Sequence, residues 1–232
     1  MHTSAQQTAQ QFFAHYVTPQ TTKLLDIGSL DWTGSIKTWV PDHVQYVGMD
    51  QQDGPGVDVV VEDPHVFPFE SDHFDLITST SCFEHDDMFW LTFLECVRVL
   101  KPGGYLYVNA PSNGCYHACP TDNWRFYPDS GLSLVKWGRR MNQPVHLIES
   151  FFTAQAPAEE WNDMVMVFGK GDPVCLPARM MHDADDRAFN IRCYGEPQMK
   201  KFCGWTEDQD TLLKLRRKLG RVQEVLNAPL SF

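Results

Sequence analysis

Between Lys23 and Ala110 the chain repeats one unit, a short apolar run that ends in a turn and gives way to a polar or helical stretch. Lys23–Gly28 is the first run, stopped by glycine, and a helix-like segment follows from Thr33 to Val40. Gln45–Asp50 ends in an acid, Val57–Asp63 is rich in valine, and Phe74–Ser81 and Gly104–Ala110 complete five strands. Asp86–Leu100 sets Phe89, Phe93, Leu94, Val97 and Leu100 at helical spacing. It stops at Lys101-Pro102-Gly103-Gly104, a strong terminator. Strands that are apolar on both faces need helices on both sides, so the pattern predicts a buried parallel sheet. Further on, Asp129–Met141 reads as a helix, and Val145–Phe152 and Met164–Phe168 as strands closing the sheet antiparallel. The expected class is α/β, a doubly wound, Rossmann-like, mostly parallel seven-stranded sheet with helices on both faces.

A chain of 232 residues holds one sizeable domain. Residues 1–170, opening on a helix over Ala5–Val17, are expected to form it, and residues 171–232 a C-terminal extension. The extension ends in an amphipathic helix, Thr206–Asn227, with Leu212, Leu215, Leu219, Val222 and Leu226 spaced 3-4-3-4. That stripe suits packing against the parent domain, the favoured reading, or a homodimer seam; two heptads are too few for a coiled coil. Residues 171–205 show no clear periodicity and receive no role.

In an open α/β sheet, ligands sit beyond the carboxyl ends of the strands, at the switch point beside the first one. Chemistry is therefore expected at residues 28–34, 50–52, 63–65, 79–85 and 111–127, where polar, glycine and turn residues stand. Gly28 permits a sharp turn and a close ligand approach. The dinucleotide pattern G-x-G-x-x-G is absent, since position 30 is leucine and the next glycine is Gly34, which argues against a nicotinamide enzyme. Asp50, at the end of the second strand, can accept from both hydroxyls of a ribose. Asp63, at the end of the third, can accept from an adenine amine. The alternative for Asp50 is a solvated strand-end acid; together with the turn the two acids point to an adenosine cofactor.

The signatures LLDIGS at 24–29, YVGMD at 46–50, VDVVVEDPHVFPF at 57–69, FDLITSTSCFEH at 74–85 and RVLKPGGYLYVNAPS at 98–112 resemble class I S-adenosylmethionine-dependent methyltransferases. The likeness spans residues 20–170 and is nearest the small-molecule and glycan-associated, methyltransferase-11-like branch. DNWRFYPD at 122–129 resembles an element found after the fifth strand in that group. The resemblance implies S-adenosylmethionine as cofactor. Asp26, Gly28, Ser29 and Leu30 would hold its methionine end, with Ser79 and Thr80 lining that side. Asp50 and Gln51 would hold the ribose, and Asp63 and Pro64 the adenine. Pro64 has no N–H to give, so His65 is expected to supply that bond.

Methyl transfer from a sulfonium is an in-line displacement, and a hydroxyl acceptor benefits from a placed base. His117, Asp122 and His85 are the candidate catalytic residues. Glu84, Tyr116, Trp124, Arg125 and Tyr127 are expected to meet the acceptor, Arg125 by gripping an anionic group. The competing reading pairs Asp122 with Arg125 to fix the loop and uses Trp124 and Phe126 to close the core. The expected activity is methyl transfer to oxygen of a small-molecule or glycan-precursor acceptor; the alternative is a non-catalytic adenosyl-cofactor-binding or scaffold protein. Cys115, His117 and Cys119 lack zinc-finger spacing, so no metal is expected, with Mg²⁺ on His117, Asp122 and Glu84 kept as a variant.

With 30 Asp+Glu against 19 Lys+Arg the net charge is -11, so no nucleic-acid or anionic-membrane partner is expected. No apolar run is long enough for a membrane helix. The Gln/Thr-rich start, Met1 to Thr21, lacks a signal-peptide pattern. Seven cysteines cannot all pair with one another and fit a reducing, cytoplasmic setting.

Overall fold

A computed structural model describes residues 3–32, 34–153, 161–204 and 207–227. Its strands are β1 (Lys23–Ile27), β2 (Gln45–Asp50), β3 (Val59–Val60), β4 (Phe74–Thr80), β5 (Leu100–Pro111), β6 (Val145–Phe152), β7 (Asp163–Lys170) and β8 (Phe189–Cys193). They form one sheet in the order β3-β2-β1-β4-β5-β7-β6-β8. The first five strands run parallel, and β7, β6 and β8 add antiparallel. The α/β class holds, but the sheet has eight strands rather than seven. The extra edge strand, β8, comes from the stretch without periodicity; of its five residues only Asn190 and Ile191 are buried, so it carries no long apolar run.

Alternation along each strand divides the core into two layers. Leu24, Tyr107, Val165 and Val167 face α1 (Thr3–Tyr16), which buries Ala9, Phe12, Phe13 and Tyr16 among them. Leu25, Leu106, Met166 and Phe168 face the other way, against Phe93, Cys96 and Val97 of α2 (Phe89–Val99) and Leu134 of α3 (Asp129–Arg140). Helices thus cover both faces.

The strand–helix alternation is weaker early in the chain. The expected helix over Thr33–Val40 is a single 3-10 turn, Ile36–Trp39, whose Ser35 Oγ accepts from Lys37 N–H at 3.1 Å; Thr33 lies outside the described residues. The valine-rich run forms only the two residues of β3, between Gly54-Pro55-Gly56 and Pro64, where proline and glycine interrupt the ladder.

The chain divides into two units, Met1–Phe202 and Cys203–Phe232, so the division falls after β8 and not at residue 170. The second unit contains α4, Glu207–Asn227, with Leu212, Leu215, Leu219 and Val222 exposed; Thr206 and the side chain of Leu226 lie outside the described residues. Among the described residues no helix is long and apolar enough to cross a membrane. Among the described residues the cysteines form no disulfide.

Candidate functional site

β1 stands between β2 and β4, and the chain leaves it toward one neighbour and leaves β4 toward β5 on the other side. A cleft of about 420 Å³ opens at the carboxyl ends of these strands, where the switch point places it. From β1 come Ile27, Gly28 and Leu30; from β2, Met49, Asp50 and Gln51; from β4, Thr80, Ser81, Cys82 and His85. Gly28 sits at φ +72°, and a Cβ there would lie 2.8 Å from Cys82 Cβ, so the turns after β1 and β4 meet only because this residue has no side chain. The N–H groups of Gly28 and Ser29 donate to Met49 carbonyl oxygen at 3.0 and 3.2 Å, tying the first turn to the end of β2.

Asp50 bridges the loops on either side. Its Oδ2 accepts from Leu30 N–H and its Oδ1 from Gln52 N–H, each at 3.1 Å. A carboxylate has about four lone-pair sites, so this one can still accept from a ligand in the cleft. Thr80 Oγ1 and Ser81 Oγ are buried in the lining without a hydrogen-bond partner. Buried hydroxyls are ordinarily paired, and these two at the end of β4 fit a ligand rich in polar groups; Ser29 lies outside the lining. Ile27, Met49, Val61 and Pro64 give the same cleft an apolar wall, as an adenine ring requires. The residues present therefore fit an adenosyl group with a charged amino-acid tail.

Asp26 takes a different place. It is buried in mid-strand beneath the turn, accepting from Thr78 Oγ1 and Tyr46 OH at 2.8 Å each, and does not line the cleft. Burial pushes its carboxyl up to about 7, partly offset by these two hydroxyls. A folded-state value above the ordinary 3.9 or so means that Asp26 supports folding while protonated, and that support fades as pH rises from about 4 through about 7. The stability of the wild type relative to Asp26→Asn is expected to fall over that window and level off above it in urea titrations; a pH-independent difference would refute this.

Asp63 also departs from expectation. Its side chain is 60 % exposed and its Oδ1 accepts from His65 N–H at 2.9 Å across Pro64. The His65 N–H, expected to replace the one Pro64 lacks, is thus already committed. Pro64 does line the cleft. Ser79 is wholly buried, outside the lining.

The DNWRF segment binds the loop after β5 to the loop after β4. The N–H groups of Asn123 and Trp124 donate to Glu84 carbonyl oxygen at 2.7 and 3.1 Å. Thr121 Oγ1 and Asn123 Nδ2 donate to His85 carbonyl oxygen at 2.9 and 2.8 Å, and Trp124 Nε1 to that of Asp86 at 2.8 Å. The Trp124 ring packs edge-on against Phe89 and Trp90, and the buried Phe126 against Phe89. Arg125 grips its own loop: Nη1 and Nη2 hold Asp122 at 2.6 and 2.8 Å, Nε donates to Asn113 carbonyl oxygen and Nη2 to that of Cys115. Its guanidinium is consumed in bracing and has no face left for an anionic acceptor. Asp122 is held well below the ordinary carboxylate range by Arg125, which suits it to accept hydrogen bonds rather than protons. Tyr116 and Tyr127 are exposed and lie outside the cleft.

Three expected residues do come together. Glu84 is buried, its carboxyl pushed up to about 8 by burial, and its Oε2 has no partner. His85 Nε2 lies 3.7 Å from Glu84 Oε1, and Nδ1 lies 2.5 Å from Thr121 carbonyl oxygen. A carbonyl only accepts, so Nδ1 carries the proton and Nε2 keeps its lone pair. Burial lowers the pKa of His85 and keeps it neutral. The His117 ring meets that of His85 edge-on at 4.9 Å, and its backbone N–H donates to Asp122 Oδ2 at 2.8 Å. The sequence alone left Cys82, Asp86 and Thr92 unmarked, though all three line the cleft. Asp86 is held by His65 Nε2 at 2.9 Å and by Thr92 Oγ1, contacts between distant segments that leave no local pattern.

Residues 38–108 match the methyltransferase-domain family. None of the curated proteins matches the chain by sequence. Among solved structures the chain is similar to the Burkholderia thailandensis 1,6-didemethyltoxoflavin-N1-methyltransferase, which was solved with 1,6-didemethyltoxoflavin and S-adenosylhomocysteine bound. The two are 14% identical with a TM-score of 0.55, covering 73% of this chain and 77% of that one. A SAM-dependent methyltransferase from Archaeoglobus fulgidus is 12% identical with a TM-score of 0.54, covering 72% and 93%. The [4+2]-cyclase SpnF is 13% identical with a TM-score of 0.52, covering 71% and 81%. Residues 38–108 thus match a methyltransferase domain, and the chain has the fold of these S-adenosylmethionine-dependent methyltransferases.

Proposed function

We propose that the protein methylates an oxygen of a small-molecule or glycan-precursor acceptor at the rim formed by His85 and His117. The observation that carries this reading is the neutral imidazole of His85, which lines the cleft with its Nε2 lone pair held free by the Thr121 carbonyl. Bound in the cleft, S-adenosylmethionine supplies an electrophilic methyl group. Asp50 would accept from its ribose, Ile27, Met49 and Val61 would flank its adenine, and Thr80 and Ser81 would offer hydroxyls to its polar tail. Cys119, Pro120 and Thr121 close one side of the cleft and limit the entry of water. His85 is placed to take a proton from a hydroxyl as the new bond forms, the step for which an alcohol needs help and a neutral amine does not.

A second reading, a non-catalytic adenosyl-binding protein, is favoured by Leu30, which occupies the cleft at the usual second glycine of the first motif, and by the outward turn of Asp63. Calorimetry with S-adenosylmethionine and S-adenosylhomocysteine, followed by transfer of labelled methyl to a panel of hydroxylated sugars and small alcohols, separates the two. Binding of both ligands with label transfer to a hydroxyl is expected. Binding without transfer would favour the second reading, and no binding would sink both.

A further inference from the structure

Glu84, His85 and His117 each offer one ligand atom, and the three atoms lie within 4.8 Å of one another. We propose that they form a binding site for a divalent transition-metal ion of the zinc class, opening onto the rim of the cofactor cleft. The donor set is two imidazoles and one carboxylate, a combination that favours first-row transition metals over Mg²⁺. Donors about 2.1 Å from a common tetrahedral centre stand roughly 3.4 Å apart. The 3.7 Å between His85 Nε2 and Glu84 Oε1 is close to that spacing.

Two further features distinguish this group from a chance cluster. Glu84 is 1% exposed, and its Oε2 is a buried polar atom without a hydrogen-bond partner, which costs free energy unless something meets it. His85 is also held as metal ligands are: its Nδ1 donates to Thr121 carbonyl oxygen. An acceptor behind one ring nitrogen fixes the tautomer and turns the lone pair of the other nitrogen outward, the usual outer-shell arrangement at a metal. His117 Nδ1 lies among Asp122 Oδ2 at 3.3 Å, Cys115 carbonyl oxygen at 3.4 Å and Arg125 Nη2 at 3.5 Å. Asp122 is paired with Arg125 at 2.6 Å.

The second cluster with metal-ligating chemistry, His65, Asp86 and Asp87, is different, because Asp86 is already met by His65, Met88 N–H and Thr92. Binding of an ion at Glu84 does not depend on the acceptor reading. Its use does: if the acceptor enters here with the ion bound, His85 Nε2 is occupied by the ion, which would itself polarise the acceptor oxygen and make the hydroxyl more acidic in place of proton uptake by that nitrogen.

The test is a titration of the chelator-treated full chain with Zn²⁺ by calorimetry and with Co²⁺ by visible absorption, without cofactor. One equivalent of ion is expected to bind, with Co²⁺ bands of a low-coordinate nitrogen–oxygen site. Glu84→Gln and His85→Asn should each weaken binding by at least about tenfold, whereas the double change Cys115→Ser, Cys119→Ser should leave it unaltered. Circular dichroism establishes that each variant is folded; if Glu84→Gln is not, His117→Asn provides the same reading from the exposed side. Absence of binding, or binding lost only with the cysteines, overturns the proposal. Neither result touches the cofactor reading, which calorimetry with S-adenosylmethionine decides separately.

Discussion

Replacing Asp50 by alanine is expected to weaken S-adenosylmethionine binding by about a hundredfold. The carboxylate lines the cleft and receives two backbone N–H groups, from Leu30 and Gln52. Those two bonds aim it, because they fix the oxygens from opposite sides while leaving lone pairs toward the ligand. A charge-assisted hydrogen bond is worth about 1.5–3 kcal/mol, so if Asp50 holds the ribose as proposed its loss would remove about 3 kcal/mol, and each 1.4 kcal/mol or so is tenfold in affinity. Alanine also frees the Leu30 and Gln52 amides, which loosens the turn. Asp50→Asn keeps one accepting oxygen and loses the charge, so an intermediate loss of about tenfold is expected. Calorimetry on both folded variants checks this. An affinity for Asp50→Ala within about twofold of the wild type would refute the ribose role.

That the cleft lies beside β1 could be read from the sequence, because the runs ending at Gly28 and Asp50 are short, apolar and sharply terminated. Sheet topology then places their ends together whatever the loops do. Seven expected residues, Gly28, Leu30, Asp50, Gln51, Pro64, Thr80 and His85, line the cleft for that reason. What could not be read was how polar groups pair over long separations. Arg125 has the chemistry of an anion clamp, yet its bonds go to Asn113, Cys115 and Asp122 in the same loop. Asp26 has the chemistry of a ligand acceptor, yet Tyr46, on the adjacent strand, claims it from inside the sheet. The edge strand β8 was illegible for a related reason. Its register depends on β6, and a five-residue strand carries too few apolar positions to show a period of two.

On the face of the sheet away from the α2 layer, Glu149→Ala is expected to cost about 3–5 kcal/mol of stability. Glu149 is wholly buried in β6. Its two oxygens accept from Tyr16 OH at 2.5 Å, Met181 N–H at 2.8 Å, His182 N–H at 3.0 Å and His182 Nδ1 at 2.7 Å. One carboxylate thus ties α1, at the start of the chain, to the segment after β7. Burial alone would lower His182, but its hydrogen bonds with Cys193 and Glu149 outweigh this and push it up to about 9. Alanine would leave the buried His182 Nδ1 and three further donors with nothing to accept from them. A domain holds only about 5–15 kcal/mol in all, and at roughly 2–4 °C per kcal/mol for this size the midpoint should drop by about 10 °C. Tyr16→Phe removes a single donor and should cost only about 1 kcal/mol. The sign of the pH dependence follows from the raised imidazole: its contribution is complete below about pH 6.5 and is lost as pH rises through about 9. In wild type that part of the stability should therefore decline across the alkaline limb, and in Glu149→Ala the decline should shrink, because of the groups that favour the proton only Cys193 remains. Urea unfolding of the three proteins from pH 6 to 10 measures both effects. A variant lacking Glu149 that unfolds within about 1 kcal/mol of the wild type would show that α1 is held by apolar packing alone.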